Sequence, residues 1–330
     1  MLSRVAESIC WMNRYIERAE NYARFIEVDF NLAMDLPPGT IEQQWRPLVL
    51  TTGDEALFQE LYGEFTKNNV IRFLAFEKKN PNSICSCLAA ARENARTVRE
   101  VISSEMWLQI NEMYLSVRPM MAKQTHSEKF LMEFFRDIKQ GSHLFSGIMN
   151  ATFSRNEGWH FGNLGRSLER ADKTDRILDM KYYYLLPTVD YVGTPLDLLQ
   201  WSALLKSASG FEMYRQTFGK LEVANIVRFL ILDRNFPRAV RHCLIEAEQS
   251  LFAITGGQTG AFKTKAEKDM GKLRAELDYT DVKDIFEIGL HEYLDQFQTK
   301  LNNLGFSIAE TFFIDKPSQH QVQGITNLKP

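Results

Sequence analysis

The chain carries the same charged signature twice. Residues 14–24 read RYIERAENYAR and residues 166–176 read RSLERADKTDR, sharing the skeleton Arg-x-x-Glu-Arg-Ala-acid-x-x-x-Arg. A second pair of segments, 70–88 and 226–244, agrees at Arg72/Arg228, Phe73/Phe229, Leu74/Leu230, Pro81/Pro237, Cys87/Cys243 and Leu88/Leu244. Trp45 and Trp201 fall in step with that second match. Three matches in the same order point to two related halves, 1–150 and 151–315, followed by a polar tail, 316–330.

The halves are expected to be helical. Only 10 prolines and 18 glycines occur in 330 residues, which favours long helices over a turn-rich β protein. Residues 3–36 contain no helix breaker, with Ser3 as the expected N-cap and Pro37-Pro38-Gly39 as the stop. Trp11, Tyr15, Ala19, Tyr22 and Ile26 recur at helical spacing and form an apolar stripe. Helices are predicted over 43–61, 68–76, 83–115 and 127–150, then 159–186 with Pro187 beyond it. Thr194-Pro195-Leu196-Asp197 reads as a helix start with a threonine cap and proline in the first turn. Further helices are predicted after the Asn235-Phe236-Pro237 turn to about 254, over 265–277 and over 282–304. The expected class is all-α, a duplicated helical bundle with two related halves packed together.

Composition excludes several functions. A formal charge of -3 supplies no basic field for nucleic acid. No apolar run approaches the roughly 18 residues of a membrane span. Arg4, Glu7 and Arg14 interrupt the N-terminal apolar residues, so no secretory signal is expected. Cys10, Cys85, Cys87 and Cys243 are too few and too irregular for a disulfide framework, which suits a cytosolic location.

The charged helices are the candidate site. On the first, Arg14, Glu17, Asn21 and Arg24 fall on one side, with Glu20 four residues before Arg24. Such a face is either a solvated lattice of weak ion pairs or a polar seam between the halves, where guanidinium groups could grip carboxylates or a phosphate. The second copy, with Arg166, Glu169, Arg170, Asp172 and Arg176, weighs towards the seam. A third charged stretch, 91–111, carries Arg92, Arg96 and Arg99 among Glu93, Glu100 and Glu105, with Trp107 read as core or interface. Neither signature copy supplies the histidine of a bundle di-metal site, and no metal or cofactor is expected. Cys87 and Cys243, matched across the repeat, read as small core residues. The loop at 256–264 fails the phosphate-loop pattern, because its Gly, Lys and Thr are not contiguous and a helix precedes it.

These segments together resemble the bacterial alpha-E domain family. The opening LSRVAESICWMNRYIERAENYAR, then RENARTVREVISSEMWLQIN and FGNLGRSLERADKTDRILD, are similar to its three signatures, over about residues 1–310. The family's aromatic after the first Glu-Ser-Ile is replaced here by Cys10. The resemblance implies an all-helical protein encoded near a circularly permuted ATP-grasp ligase and a transglutaminase-like protease, in systems proposed to make peptide-like amides. It maps the family's charged residues onto Arg14, Glu17, Arg18, Glu20, Asn21 and Arg24, onto Asn94, Arg96, Arg99, Glu100 and Glu105, and onto Arg166, Glu169, Arg170 and Asp172. Three readings follow. The chain is a non-catalytic helical partner that binds such a ligase or presents its peptide or anionic substrate. Alternatively it is an enzyme, with Glu17, Glu20 or Glu105 as general acid or base and Arg18 or Arg170 holding an anion. In the third, the seam is purely structural.

Overall fold

Free of glycine and proline, residues 3–35 form one helix of 33 residues, α1 (Ser3–Asp35). The computed structural model describes residues 1–35, 45–122, 127–183 and 194–314. After α1 come α2 (Arg46–Thr52), α3 (Glu55–Leu61), α4 (Lys67–Ile71), a π-helical turn at Arg72–Phe76, α5 (Ile84–Thr97), α6 (Ser104–Val117) and α7 (Glu128–Thr152). There follow α8 (Glu157–Tyr183), α9 (Pro195–Ser207), α10 (Phe211–Phe218), α11 (Val223–Val227), a second π-helical turn at Arg228–Leu232, α12 (Val240–Thr255), α13 (Lys265–Tyr279), α14 (Val282–Ile288) and α15 (Leu290–Phe312). Among the described residues every long regular element is helical, as the all-α reading expects.

Local chemistry sets the boundaries, and in four places it corrects the sequence reading. The helix predicted over 43–61 is two, α2 and α3, because Gly53 takes a left-handed φ of 78° at the C-cap of α2. The helix predicted over 83–115 breaks at 98–103, where the Ser103 side chain caps α6 by accepting from the Met106 amide. Gly289, at φ 101°, separates α14 from α15 within the predicted 282–304 helix. Ser3 is the first helical residue rather than the cap, since the Leu2 carbonyl accepts from Val5 and Ala6. Thr194 caps α9 as expected, with Pro195 in the first turn. Pro37-Pro38-Gly39, Pro187 and the tail 316–330 lie outside the described residues.

The repeated motifs recur as local structure. Each Arg-Phe-Leu segment forms a π-helical turn, buried at Phe73, Leu74, Phe229 and Leu230. Both Cys87 and Cys243 are buried, with their thiols against the carbonyls of Pro81 and Pro237. The larger of two hydrophobic clusters among the described residues runs from Ala6 to Ile308 and takes in Trp45 and Trp201 alike.

At its centre α1 and α8 lie side by side and parallel. Their polar contacts join residues 151 to 155 apart, so each helix meets its neighbour close to the spacing of the two signatures. Close approach depends on glycines of α8. A Cβ on Gly165 would stand 2.5 Å from the Cys10 carbonyl oxygen, and one on Gly162 would stand 2.7 Å from Asn13 Nδ2. Gly165→Ala is therefore expected to destabilise the protein by about 1–3 kcal/mol, despite alanine's better helix propensity. Gly271 in α13 has nothing within 4 Å of its Cβ position, so Gly271→Ala should stabilise by about 0.5–1 kcal/mol. Urea unfolding of the two variants checks the opposite signs.

Candidate functional site

The parallel register sets the Glu-Arg pair of each signature against the Glu-Arg pair of the other. Arg18 donates through Nε to Glu169 Oε1 (2.7 Å) and through Nη2 to Oε2 (3.0 Å). Its counterpart Arg170 donates through Nε to Glu17 Oε1 (2.9 Å) and through Nη2 to Oε2 (2.7 Å). Both are two-pronged guanidinium–carboxylate grips, the strongest geometry for this pair. The seam between the signature helices therefore forms.

Each carboxylate then collects further cations. Arg14 Nε donates to Glu169 (3.0 Å) and Lys173 Nζ lies 3.4 Å from it. Glu17 also accepts from Arg238 Nη1 (3.1 Å) and Asn21 Nδ2 (3.0 Å). Glu20 accepts from Arg24 Nη2 (2.7 Å), from Ser142 Oγ (2.6 Å) and from Arg238, and it meets His143 Nε2 at 3.2 Å. Asp172 takes Lys173 Nζ (2.6 Å) and Arg176 Nε (3.0 Å). Arg24 and Arg176 extend the seam to α9 and α2, reaching the Ser209 hydroxyl and the Thr51 carbonyl.

Electrostatics decides what these groups can do. Burial alone would push the carboxyls of Glu17, Glu20, Glu169 and Asp172 up. The adjacent cations outweigh it: Arg170 and Arg238 at Glu17, Arg238 and Arg24 at Glu20, Arg18 and Lys173 at Glu169, Lys173 and Arg176 at Asp172. All four are held below their ordinary values, so they stay ionised. Arg166 is different. Burial and the neighbouring Arg170 push it down to about 10, and its terminal nitrogen donates to Asn163 (2.6 Å). Asp175, buried in α8, has its carboxyl pushed well above the usual range by burial, and the neighbouring Asp172 and Asp179 add to the rise.

On one side the seam opens into a cleft of about 430 Å³ between α1, α8 and α15. Arg14, Arg18, Lys173 and Arg176 line it beside Trp11, Tyr22, Phe306 and Phe313. The Arg14 guanidinium sits 4.6 Å over the Trp11 ring. Arg14 and Arg176 keep 23% and 21% of their side chains exposed, whereas Glu169 beneath them keeps none.

The third charged stretch does not join. Arg96 pairs with Glu93 on the surface, and Arg99, Glu100 and Glu105 are exposed. Trp107 is half-buried rather than core, with the guanidinium groups of Arg92 and Arg99 at 5.6 and 5.2 Å from its ring. The loop at 256–264 is closed by a side chain of its own: buried Glu267 accepts from the Thr264 amide (2.9 Å) and from Lys263. Sequence reasoning missed Arg238, Lys173, Asn82, Ser142 and His143. A signal for Arg238 existed, since it follows Pro237 where Asn82 follows Pro81.

Among the described residues no group of three or more His, Cys, Asp and Glu is placed to hold a metal ion, and no helix is long and apolar enough to cross a membrane.

Glu169→Gln leaves Arg18 and Arg14 without their carboxylate and is expected to cost about 3–5 kcal/mol at neutral pH. The sign with pH follows from depressed carboxylates. Their stability is fully present above the ordinary value of 4.5 for glutamate and is lost as pH falls through the folded-state values. The variant should therefore lose less stability than the parent on acidification, as read by urea unfolding at pH 7 and pH 3. Asp175→Asn should act oppositely. A raised carboxyl opposes folding above the ordinary aspartate value of 3.8, so the amide should stabilise at pH 7, with the gain fading in acid.

Comparison with known proteins bears on the same residues. The family model of Alpha-E, described as a predicted alpha-helical domain with a conserved ER motif, matches residues 1–313. Uncharacterized proteins of Mycobacterium bovis and Mycobacterium tuberculosis are 21% identical over 273 residues, covering 77% of this chain and 30% of theirs. The chain thus spans less than a third of the length of the curated relatives it matches. No solved structure matches.

Proposed function

This chain belongs to the Alpha-E family, and on that footing we propose that it is a non-catalytic helical partner, binding or presenting the carboxylate-bearing substrate of an ATP-grasp amide ligase. The observation that carries the reading is the state of the seam. Glu17, Glu20 and Glu169 are buried, doubly or multiply paired and held ionised. A carboxylate gripped by two cations is a poor proton donor and a poor base. Glu105, the other acid considered for such a role, is exposed on the first turn of α6, away from the cleft. The seam therefore serves as a rigid frame, and the place offered to a ligand is the cleft where Arg14 and Arg176 emerge.

The ligase, and with it a transglutaminase-like protease, enters from the family resemblance. The relatives add a fitting fact: the matched segment is 30% of each longer chain, as suits a module working beside other polypeptide. The purely structural reading keeps one point in its favour, because buried ion networks of this kind often serve to specify docking.

Tagged chain purified gently from its native cells is expected to bring down an ATP-grasp ligase in near-stoichiometric amount, identified by mass spectrometry. Elution of the chain alone at low salt overturns the partnership.

A further inference from the structure

We infer that the cleft between α1, α8 and α15 is a binding site for a single carboxylate carried on an aromatic or other apolar group. The inference rests on the binding role proposed above, but not on the identity of the partner.

Its floor has unused donors. Among the described residues, Arg14 donates through Nε alone, and Arg176 through Nε and Nη1. Both Nη atoms of Arg14 and Nη2 of Arg176 thus retain their hydrogens for a ligand, and both side chains remain partly exposed. A guanidinium presents paired N–H groups that match a carboxylate.

Charge balance disfavours a doubly charged ligand. The cleft residues Arg14, Arg18, Lys173 and Arg176 face Glu7, Asp172 and the buried Glu169. Asp54, which accepts from the lining Asn82, matches the fourth cation, so nothing on the floor offsets the second charge of a phosphate dianion, whereas the free paired N–H groups suit a singly charged planar carboxylate. The walls are apolar: Trp11, Leu301, Phe306, Ile308 and Phe313. Phe306 stands 69% exposed at this cleft, an aromatic surface available for covering by the body of a ligand.

The repeat shows why the space exists here. Across the seam, at the position matching Asn82, Arg238 reaches in to Glu17, Asn21 and Glu20. Ser142 and His143 add further contacts to Glu20. On the cleft side Asn82 is short and is held by Arg18 Nη1 (2.7 Å), and α15 contributes Gly305, whose Cβ position has nothing within 4 Å.

Calorimetric titration of the full chain tests the assignment with three probes: N-acetylphenylalanine, its uncharged amide, and phenyl phosphate. The carboxylate is expected to bind one to one, about ten- to a hundredfold more tightly than the amide. It should also bind more tightly than the phosphate. Arg14→Gln with Arg176→Gln should abolish the preference over the amide. Gly305→Leu, which fills open space without touching a charge, should abolish binding while far-UV circular dichroism stays unchanged. This variant keeps the test alive if the arginine double variant fails to fold. No carboxylate binding to the parent chain, equal binding of the amide, or unaltered binding to a folded Gly305→Leu chain overturns the site. Tighter binding of the phosphate overturns its single-charge character. Carboxylate binding without a co-eluting ligase would sink the partnership alone, and a co-eluting ligase with no carboxylate binding would sink the site alone.

Discussion

Two crossed grips, Arg18 on Glu169 and Arg170 on Glu17, sit where the rest of the structure converges. They exist because α1 and α8 run parallel and nearly in register, so that each glutamate lies beside the arginine of the other signature. Buried charges are costly unless paired with good geometry. A slip of either helix would strand four charges in the interior at once. The same requirement explains Gly162 and Gly165, which let the backbones come near enough for the side chains to meet. From the seam, Arg24 and Arg176 reach out to fix the ends of α9 and α2, at the equivalent turns Ser209 and Gly53. Those two residues share a left-handed backbone, with φ of 50° and 78°.

Around that symmetric centre the charges are arranged asymmetrically. The Glu169–Asp172 side receives its additional cation from Lys173, whose counterpart in the first signature is the neutral Asn21. The Glu17–Glu20 side receives its own from Arg238, whose counterpart is the neutral Asn82. Each carboxylate pair thus gains one extra positive charge, from α8 itself in one case and from the turn before α12 in the other. The physical consequence is steric. Arg238 crosses the interior and closes one side of the seam, whereas Lys173 bends back along its own helix and leaves the other side open as the cleft. Ion pairing is met on both sides, and access is left on one.

Much of this was legible in the sequence because it is local. Periodicity and the scarcity of helix breakers predicted the helices, and the Thr194-Pro195 start is where it was expected. The errors were also local in origin. Gly53, Gly289 and the Ser103 cap interrupt segments whose apolar pattern continues across them, and periodicity alone registers a pattern, not a cap. Arg96, Arg99, Glu100 and Glu105 share the composition of the seam, yet they are exposed on α5, on α6 and in the turn between them. Nothing in a charge pattern distinguishes a solvated face from a buried one until the neighbouring helix is placed.

The sequence by itself determined that the chain is helical and that its signature charges occur twice in one order. Each is a property of neighbours along the chain or of residues at helical spacing. Only the tertiary structure decided that the two signatures face each other, that Glu17 and Glu169 are ionised beneath their arginines, and that Arg238 belongs to the seam from a turn 221 residues away from Glu17. Pairing, burial and the state of a proton depend on distances between segments, and those distances are set when α8 packs against α1.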